Sequence, residues 1–215
     1  MMTNLFSVFD PCTGMLSMNW LSTLIFIPIL PYNFWLSPNK IMLIYNKIIF
    51  TLNLEMSMLM PYSGMGMMMM SIFMFILINN FMGLFPYVFT SSSHLVFSMS
   101  IALPMWLSFM IYGWLNNTKM MFVHLVPIGT PFILMPFMVL IETISNLIRP
   151  GSLGVRLTAN MIAGHLLMSL LGGSSIHMMF ILMIIFITLM TFEIAVSLIQ
   201  AYVFMTLTTL YSSEV

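Results

Sequence analysis

Arg156 stands in the stretch RPGSLGVRLTANMIAGH, residues 149–165, with apolar residues for many positions on its C-terminal side. Asn160 follows four residues later and His165 nine later; Glu142 lies fourteen before, and Glu193 and Gln200 sit in the next apolar segment. A cation at membrane depth costs from about 2.5–3.5 to more than 10 kcal/mol, so it is kept where it acts or where an anion or a water-filled cavity meets it. Arginine stays charged at any relevant pH, which makes it a poor proton carrier and a good fixed electrostatic barrier. Histidine and glutamate titrate near neutrality when partly buried. Titratable groups on either side of a permanent cation describe two half-paths that a proton cannot join directly. A carboxylate on another molecule could pass between them and lose its proton where Arg156 favours the anion.

Helical spacing sorts these groups. Arg156 and Asn160 share a face, and so do Glu193 and Gln200. His165 lies about 180° from Arg156 on a straight helix, so either the helix bends or His165 lines a different cavity. Glu142 is on nearly the face of Arg156 but about 21 Å along the axis, near the inner surface. Folding the hairpin at a tight turn over 172–175 sets Arg156 opposite position 192 and His165 opposite position 183. That pairing is loose, and only a shift between the arms aligns Arg156 with Gln200 and His165 with Glu193. Plainer readings stand beside the functional ones. Arg156 could be an ion-pair partner of Glu193, Glu142 an interfacial carboxylate, and His165 a hydrogen-bonded link between helices. Arg149 reads as a packing residue, Asn79 and Asn80 as interhelical glue, and His94, His124 and His177 as loop residues.

The elements that carry these groups are membrane helices. The 215 residues are 61% hydrophobic and 5% charged, with mean hydropathy +1.09. A soluble domain carries about 25% charged residues. The apolar runs far exceed the roughly 10-residue alternating strands of a barrel. The fold class is therefore an all-α integral membrane protein. The net charge of zero gives no footprint for nucleic acid. The single cysteine, Cys12, makes no internal disulfide. The N-terminus has no basic n-region and no Arg-rich transit pattern, so the first apolar run is expected to be a retained span. The 29 methionines stand mostly where Leu or Ile would serve, as adaptable packing rather than a metal-binding box.

A single membrane domain over 1–215 is expected, with spans at 15–36, 67–90 and 95–115, and a terminal hairpin of 132–171 and 176–210. Pro28 and Pro31 are expected to kink or end the first span. In 39–60, Lys40 and Lys47 are seven apart, as are Asn39, Asn46 and Asn53, a polar stripe on an otherwise apolar helix. This describes an interfacial helix with its lysines towards headgroups; a poorly inserted span is the competing reading. Residues 116–131 read as a loop. The hairpin arms, at about 60 and 52 Å, are too long for a hydrocarbon layer of about 30 Å. Either they are broken, with Pro150–Gly151 the obvious point, or they lie strongly tilted and present a broad side to a partner. Gly151, Ser152, Gly154, Ala159, Ala163 and Gly164 would let a neighbouring helix come close. Lys40, Lys47 and Lys119 fall on one side, the positive inner one, which puts the N-terminus outside and the C-terminus inside. No Walker loop, nucleophile with a base, haem-clamping or copper-binding histidine pair, or zinc spacing is present. No cofactor, metal, catalytic residue or small-molecule substrate other than protons is expected.

NNFMGLFPY, LVPIGTP, IETISNLIRPG, VRLTANMIAGH and IQAYVFMTLTTLY, with the opening MMTNLFSVFDP and the ending TLYSSEV, resemble the a-subunit family of F-type ATP synthases in its arthropod mitochondrial form. The resemblance covers essentially the whole chain. It implies a stationary proton-path subunit, non-catalytic itself, beside a rotating c-ring. Arg156 matches the family's essential arginine. Asn160, His165, Glu193 and Gln200 match polar positions of the half-channel open to the intermembrane space, and Glu142 a carboxylate of the matrix-side path. In bacterial relatives the positions of His165 and Glu193 carry Glu and His, a swap that keeps two titratable groups. The resemblance further implies the mitochondrial inner membrane, membrane lipid as solvent, and peripheral-stalk and other membrane-sector subunits as partners. The organelle's variant code would account for the methionines. Two alternatives remain open on the residues alone. A self-contained proton–cation antiporter would usually show an inverted repeat, and none is visible. A purely structural membrane subunit leaves Arg156 unexplained.

Overall fold

The computed structural model describes residues 5–12, 16–32, 35–60, 64–126, 129–173 and 179–213. Their regular structure is helical. A 3-10 turn, Leu5–Phe9, is followed by a 3-10 helix, Met18–Ile25, that runs into the short α1, Phe26–Ile29. Among the described residues of the apolar run expected as one span over 15–36, helix covers only Met18–Ile29. That is about 22 Å at the two helical rises, short of the hydrocarbon thickness. The helix ends because Leu30 precedes Pro31 and takes the extended conformation (φ −60°, ψ 128°) that a following proline imposes. The exposed Cys12 thiol is pushed up from its ordinary pKa, first by its hydrogen bond to the Asp10 carboxylate and then by that charge, so it is not an activated nucleophile.

Helix α2, Lys40–Leu59, starts where the Asn39 side chain accepts a hydrogen bond from the Lys40 N–H at 2.7 Å, a normal N-cap. Asn39, Lys40, Asn46 and Lys47 are exposed, whereas Asn53, expected on the same stripe, is half-buried beside Gly66, and Met56 is buried. The less exposed positions recur at helical spacing, and they face the helices Met65–Gly83 and Met179–Ser213.

Among the described residues, four helices are long and apolar enough to cross a bilayer. They are α3 (Met65–Gly83), α4 (Leu95–Asn116), α6 (Met135–Gly172) and α7 (Met179–Ser213). The stretch 116–131, expected as loop, holds a short helix α5, Thr118–His124. Between α3 and α4 the buried 3-10 turn Ser91–Ser93 packs on α6. Helix α7 lies along α3, and α6 along α4; the two hairpin arms also touch each other. The core between them includes Met56, Met69, Phe73, Ile76, Met105, Phe109, Leu157, Phe204 and Met205. Methionine suits such a core because its unbranched chain fills irregular gaps. Gly154 sets the α4–α6 spacing: a Cβ there would sit 3.0 Å from Met99 Sδ and 3.4 Å from Ser98 Oγ.

Helix α6 runs unbroken for 38 residues through Pro150–Gly151, so the break that its length allowed is not taken. Pro150 is buried; having no N–H, it leaves the Asn146 carbonyl without its helical donor. At about 57 Å, α6 is nearly twice the hydrocarbon thickness, which leaves tilt as the way to accommodate it.

Candidate functional site

The hairpin is not in the register that a turn at 172–175 gives. Residues 174–178, including His177 and half of that turn, lie outside the described residues. On the arms themselves, Arg156 shares a small concavity with Gln200, Val203 and Phe204. A Cβ on Gly164 would collide with the Glu193 carboxyl group. Both pairings centre near position 178, about one helical turn later than the assumed turn. The shift brings Arg156 opposite Gln200. It sets Gly164, not His165, against Glu193.

A cavity of about 480 Å³ opens between α3, α6 and α7. Asn160 and Gly164 of α6, Glu193, Ser197 and Gln200 of α7, and Asn80 of α3 contribute its polar and small surfaces; Met161, Leu167, Leu189 and Phe192 are among its apolar walls. Glu193 is buried at 9% exposure. Three of the predicted site residues, Asn160, Glu193 and Gln200, therefore meet in one place. His165 does not line this cavity. Its ring stands edge-on to Phe9, with centroids 6.1 Å apart, and its Nε2 is buried without a partner among the described residues.

Arg156 is exposed on the surface of the chain. It belongs to an exposed row on α6 that also holds Ser152, Val155, Ala159 and Ala163. Among the described residues it makes no ion pair, so it is not the structural partner of Glu193 in this chain.

A second cavity, of about 390 Å³, lies on the other side of Arg156 along α6. Glu142, Asn146 and Arg149 of α6, Trp106 and Trp114 of α4, His124 of α5 and Tyr211 of α7 line it. Arg149 Nη2 lies 3.6 Å from Glu142 Oε1, with side-chain exposures of 26% and 34%. The guanidinium carbon also sits 5.2 Å from the centre of the Tyr211 ring, within cation–π range. The α6 residues of the first cavity begin about 6 Å beyond Arg156, and those of the second end about 10 Å before it. Among the described residues no group of three His, Cys, Asp or Glu side chains is placed to hold a metal ion.

Asn80, Ser197, His124, Asn146 and Tyr211 were not singled out for a site by sequence. Asn79 and Asn80 are adjacent in an apolar helix and both are buried, and neither residue type nor spacing says which one lines the cavity. Tyr211 and His124 reach the second cavity from elements remote in sequence.

The family model for the ATP synthase A chain matches residues 13–213. The chain belongs to the ATP synthase subunit a family. It is 56% identical to ATP synthase subunit a of Anopheles quadrimaculatus, of Drosophila simulans and of Drosophila melanogaster, with both chains covered completely in each case. Family membership and four apolar helices make it a multi-pass membrane protein. The coarse role that comes with membership is that of a proton-translocating subunit in the membrane sector of the synthase.

Proposed function

We propose that this chain is the stationary half of a rotary proton path, in which two offset half-channels deliver protons to and from the carboxylates of a rotating c-ring. The observation that carries this reading is the placement of two cavities on either side of Arg156 along one helix, with the guanidinium itself exposed. An unpaired cation in lipid is costly, so its exposed face calls for a partner's carboxylate. The row of Ser152, Ala159 and Ala163 beside it leaves room for a partner helix to approach closely. Asn160, Glu193 and Gln200 form the half-channel open to the intermembrane space, with His165 near its entrance. Glu142 serves the matrix-side half-channel. A proton entering by the first route meets the ring's carboxylate, rides the ring, and is released where Arg156 favours the anion. Each crossing charge releases about 2.3 kcal/mol per 100 mV, and rotation carries that work to nucleotide chemistry on other subunits.

The same reading sets the chain in the mitochondrial inner membrane, its N-terminus towards the intermembrane space and its C-terminus towards the matrix. The spans are 15–36, 67–90 and 95–115 and a tilted hairpin of 132–171 and 176–210; 39–60 lies in the interface. Within 15–36, chain outside the short helix needs cover from protein, because lipid satisfies no backbone groups. Peripheral-stalk or other membrane-sector subunits would supply it.

The test is ATP synthesis by the reconstituted complex under an imposed proton gradient. Arg156→Ala should reduce it to background, and Arg156→Lys should fail to restore it if a planar, permanent charge is needed. Full coupled synthesis in both variants overturns the role.

A further inference from the structure

We infer that Phe9, in the N-terminal 3-10 turn, is a positioning residue for His165, holding the imidazole at the angle from which it exchanges protons at the entrance of its half-channel. The inference rests on the proton-path reading above and adds to that path a strap of chain, residues 5–12. His165 stands apart from the cavity of Glu193. Its Nε2 is buried without a partner among the described residues, while the residue as a whole is only half-buried. The imidazole thus has one side in the protein and another towards the surface. The turn Leu5–Phe9 packs against α6, and the Phe9 ring meets the imidazole at 90° with centroids 6.1 Å apart. Edge-to-face packing at that separation is an arrangement that ring quadrupoles favour. A proton-exchanging group works only while its nitrogen points along the route. Tilting of the ring moves that nitrogen off line. A perpendicular aromatic neighbour resists the tilt, and an aliphatic side chain of similar bulk resists it less.

The strap has its own tethers. The Asn19 side chain donates to the Asp10 carbonyl at 3.2 Å, and the Cys12 N–H donates to the Asp10 carboxylate at 3.1 Å. Asn19 belongs to the 3-10 helix Met18–Ile25, so replacing the Phe9 ring should loosen the imidazole without releasing the strap. Elements packed on α6 carry other titratable groups: Asp10 on the strap, His94 at the end of the Ser91–Ser93 turn, and Glu193 on α7, whose carboxyl group lies against Gly164. All three stay in place in the variants below.

The measurement is ATP synthesis by the reconstituted complex, normalised to assembled complex, as the proton concentration on the entry side is varied at fixed exit-side pH and membrane potential. Misplacing a reacting group slows its step, and a slow entry step tells most when protons are scarce. Phe9→Leu should raise the proton concentration for half-maximal rate about three- to tenfold and leave the maximal rate within about twofold of wild type. Phe9→Tyr, which keeps the ring, should restore wild-type dependence. Phe6→Leu, in the same turn at a side chain 66% exposed, should change nothing. If Phe9→Leu does not assemble, Phe9→Met takes its place with the same shift expected. An unshifted half-maximal concentration overturns the inference, whether or not the maximal rate falls, and so does an equal shift in Phe9→Tyr. Acylation of His165 by diethyl pyrocarbonate, read by mass spectrometry on the intact complex, checks the contact itself. It should run at least about fivefold faster in Phe9→Ala than in wild type, and an unchanged rate means that the strap does not cover His165. His165→Leu is measured in parallel. Normal synthesis there means that the proton-path reading of His165 has failed; a block there beside an unshifted Phe9→Leu means that only the role of Phe9 has.

Discussion

The two cavities that flank Arg156 hold their carboxylates in opposite company. Glu193 is buried, and the polar residues lining its cavity are neutral: Asn80, Asn160, Ser197 and Gln200. Glu142 is about a third exposed and 3.6 Å from a guanidinium that is itself stacked on an aromatic ring. The first arrangement leaves a carboxylate answerable to whatever water fills its cavity. The second ties a carboxylate to a fixed charge and ties the last turn of α7 to α6. One sequence pattern, a glutamate in an apolar helix, thus yields two physical devices, and the difference lies in the neighbours.

Glu193→Leu is expected to bring the largest effect, with proton-driven ATP synthesis falling below about a hundredth of wild type. Glu142→Leu should lose less, roughly tenfold, because that carboxylate is itself more exposed and already lies against a guanidinium. Equal losses at the two sites would erase the distinction drawn between them.

Gly164→Ala should come next. The added Cβ would overlap the Glu193 carboxyl group, so that group must move, and synthesis should drop about tenfold while the complex still assembles. Gly172→Ala is the matched control, since a Cβ there meets nothing within 4 Å; it should leave synthesis unchanged. A silent Gly164→Ala would mean that the position of the Glu193 carboxyl group does not matter.

Arg149→Leu should have a smaller effect. A partly exposed ion pair contributes about 0–1 kcal/mol and a cation–π contact about 0.5–1 kcal/mol. The complex should assemble, and its synthesis rate should fall two- to fivefold. A loss as large as that of Glu193→Leu would give Arg149 a role far beyond holding Glu142. Smallest of all is Tyr202→Phe. It removes an exposed hydrogen bond to Glu55 that is already long at 3.5 Å, and neither the rate nor the heat stability of the complex should change measurably.

Much of this architecture is legible in the sequence because the solvent is so demanding. Backbone groups in hydrocarbon must be bonded within the segment, so long apolar runs become helices; α4, α6 and α7 begin and end within about three residues of the expected runs, whereas α3 stops at Gly83, well short of the expected end at residue 90. The proline effects were less legible. Pro31 stops the first helix early, whereas Pro150 is absorbed within α6, where the surrounding packing holds the helix through the missing bond. The helical stripe of α2 could be read from Asn39, Lys40, Asn46 and Lys47 because they repeat at seven residues.

The kinds of group available to the proposed proton path were determined by the chain alone: a permanent cation, two carboxylates, a histidine and several amides, each set in helix at a known spacing. Their companions were decided only in three dimensions. The register of α6 against α7 rests on side-chain contacts such as the space left by Gly164. A shift of one turn is nearly silent in hydropathy, yet it changes every facing pair. That shift sets Gln200 beside Arg156 and Gly164 against Glu193, while the packing of other elements, the first 3-10 turn and α3, puts Phe9 against His165 and Asn80 in the cavity of Glu193.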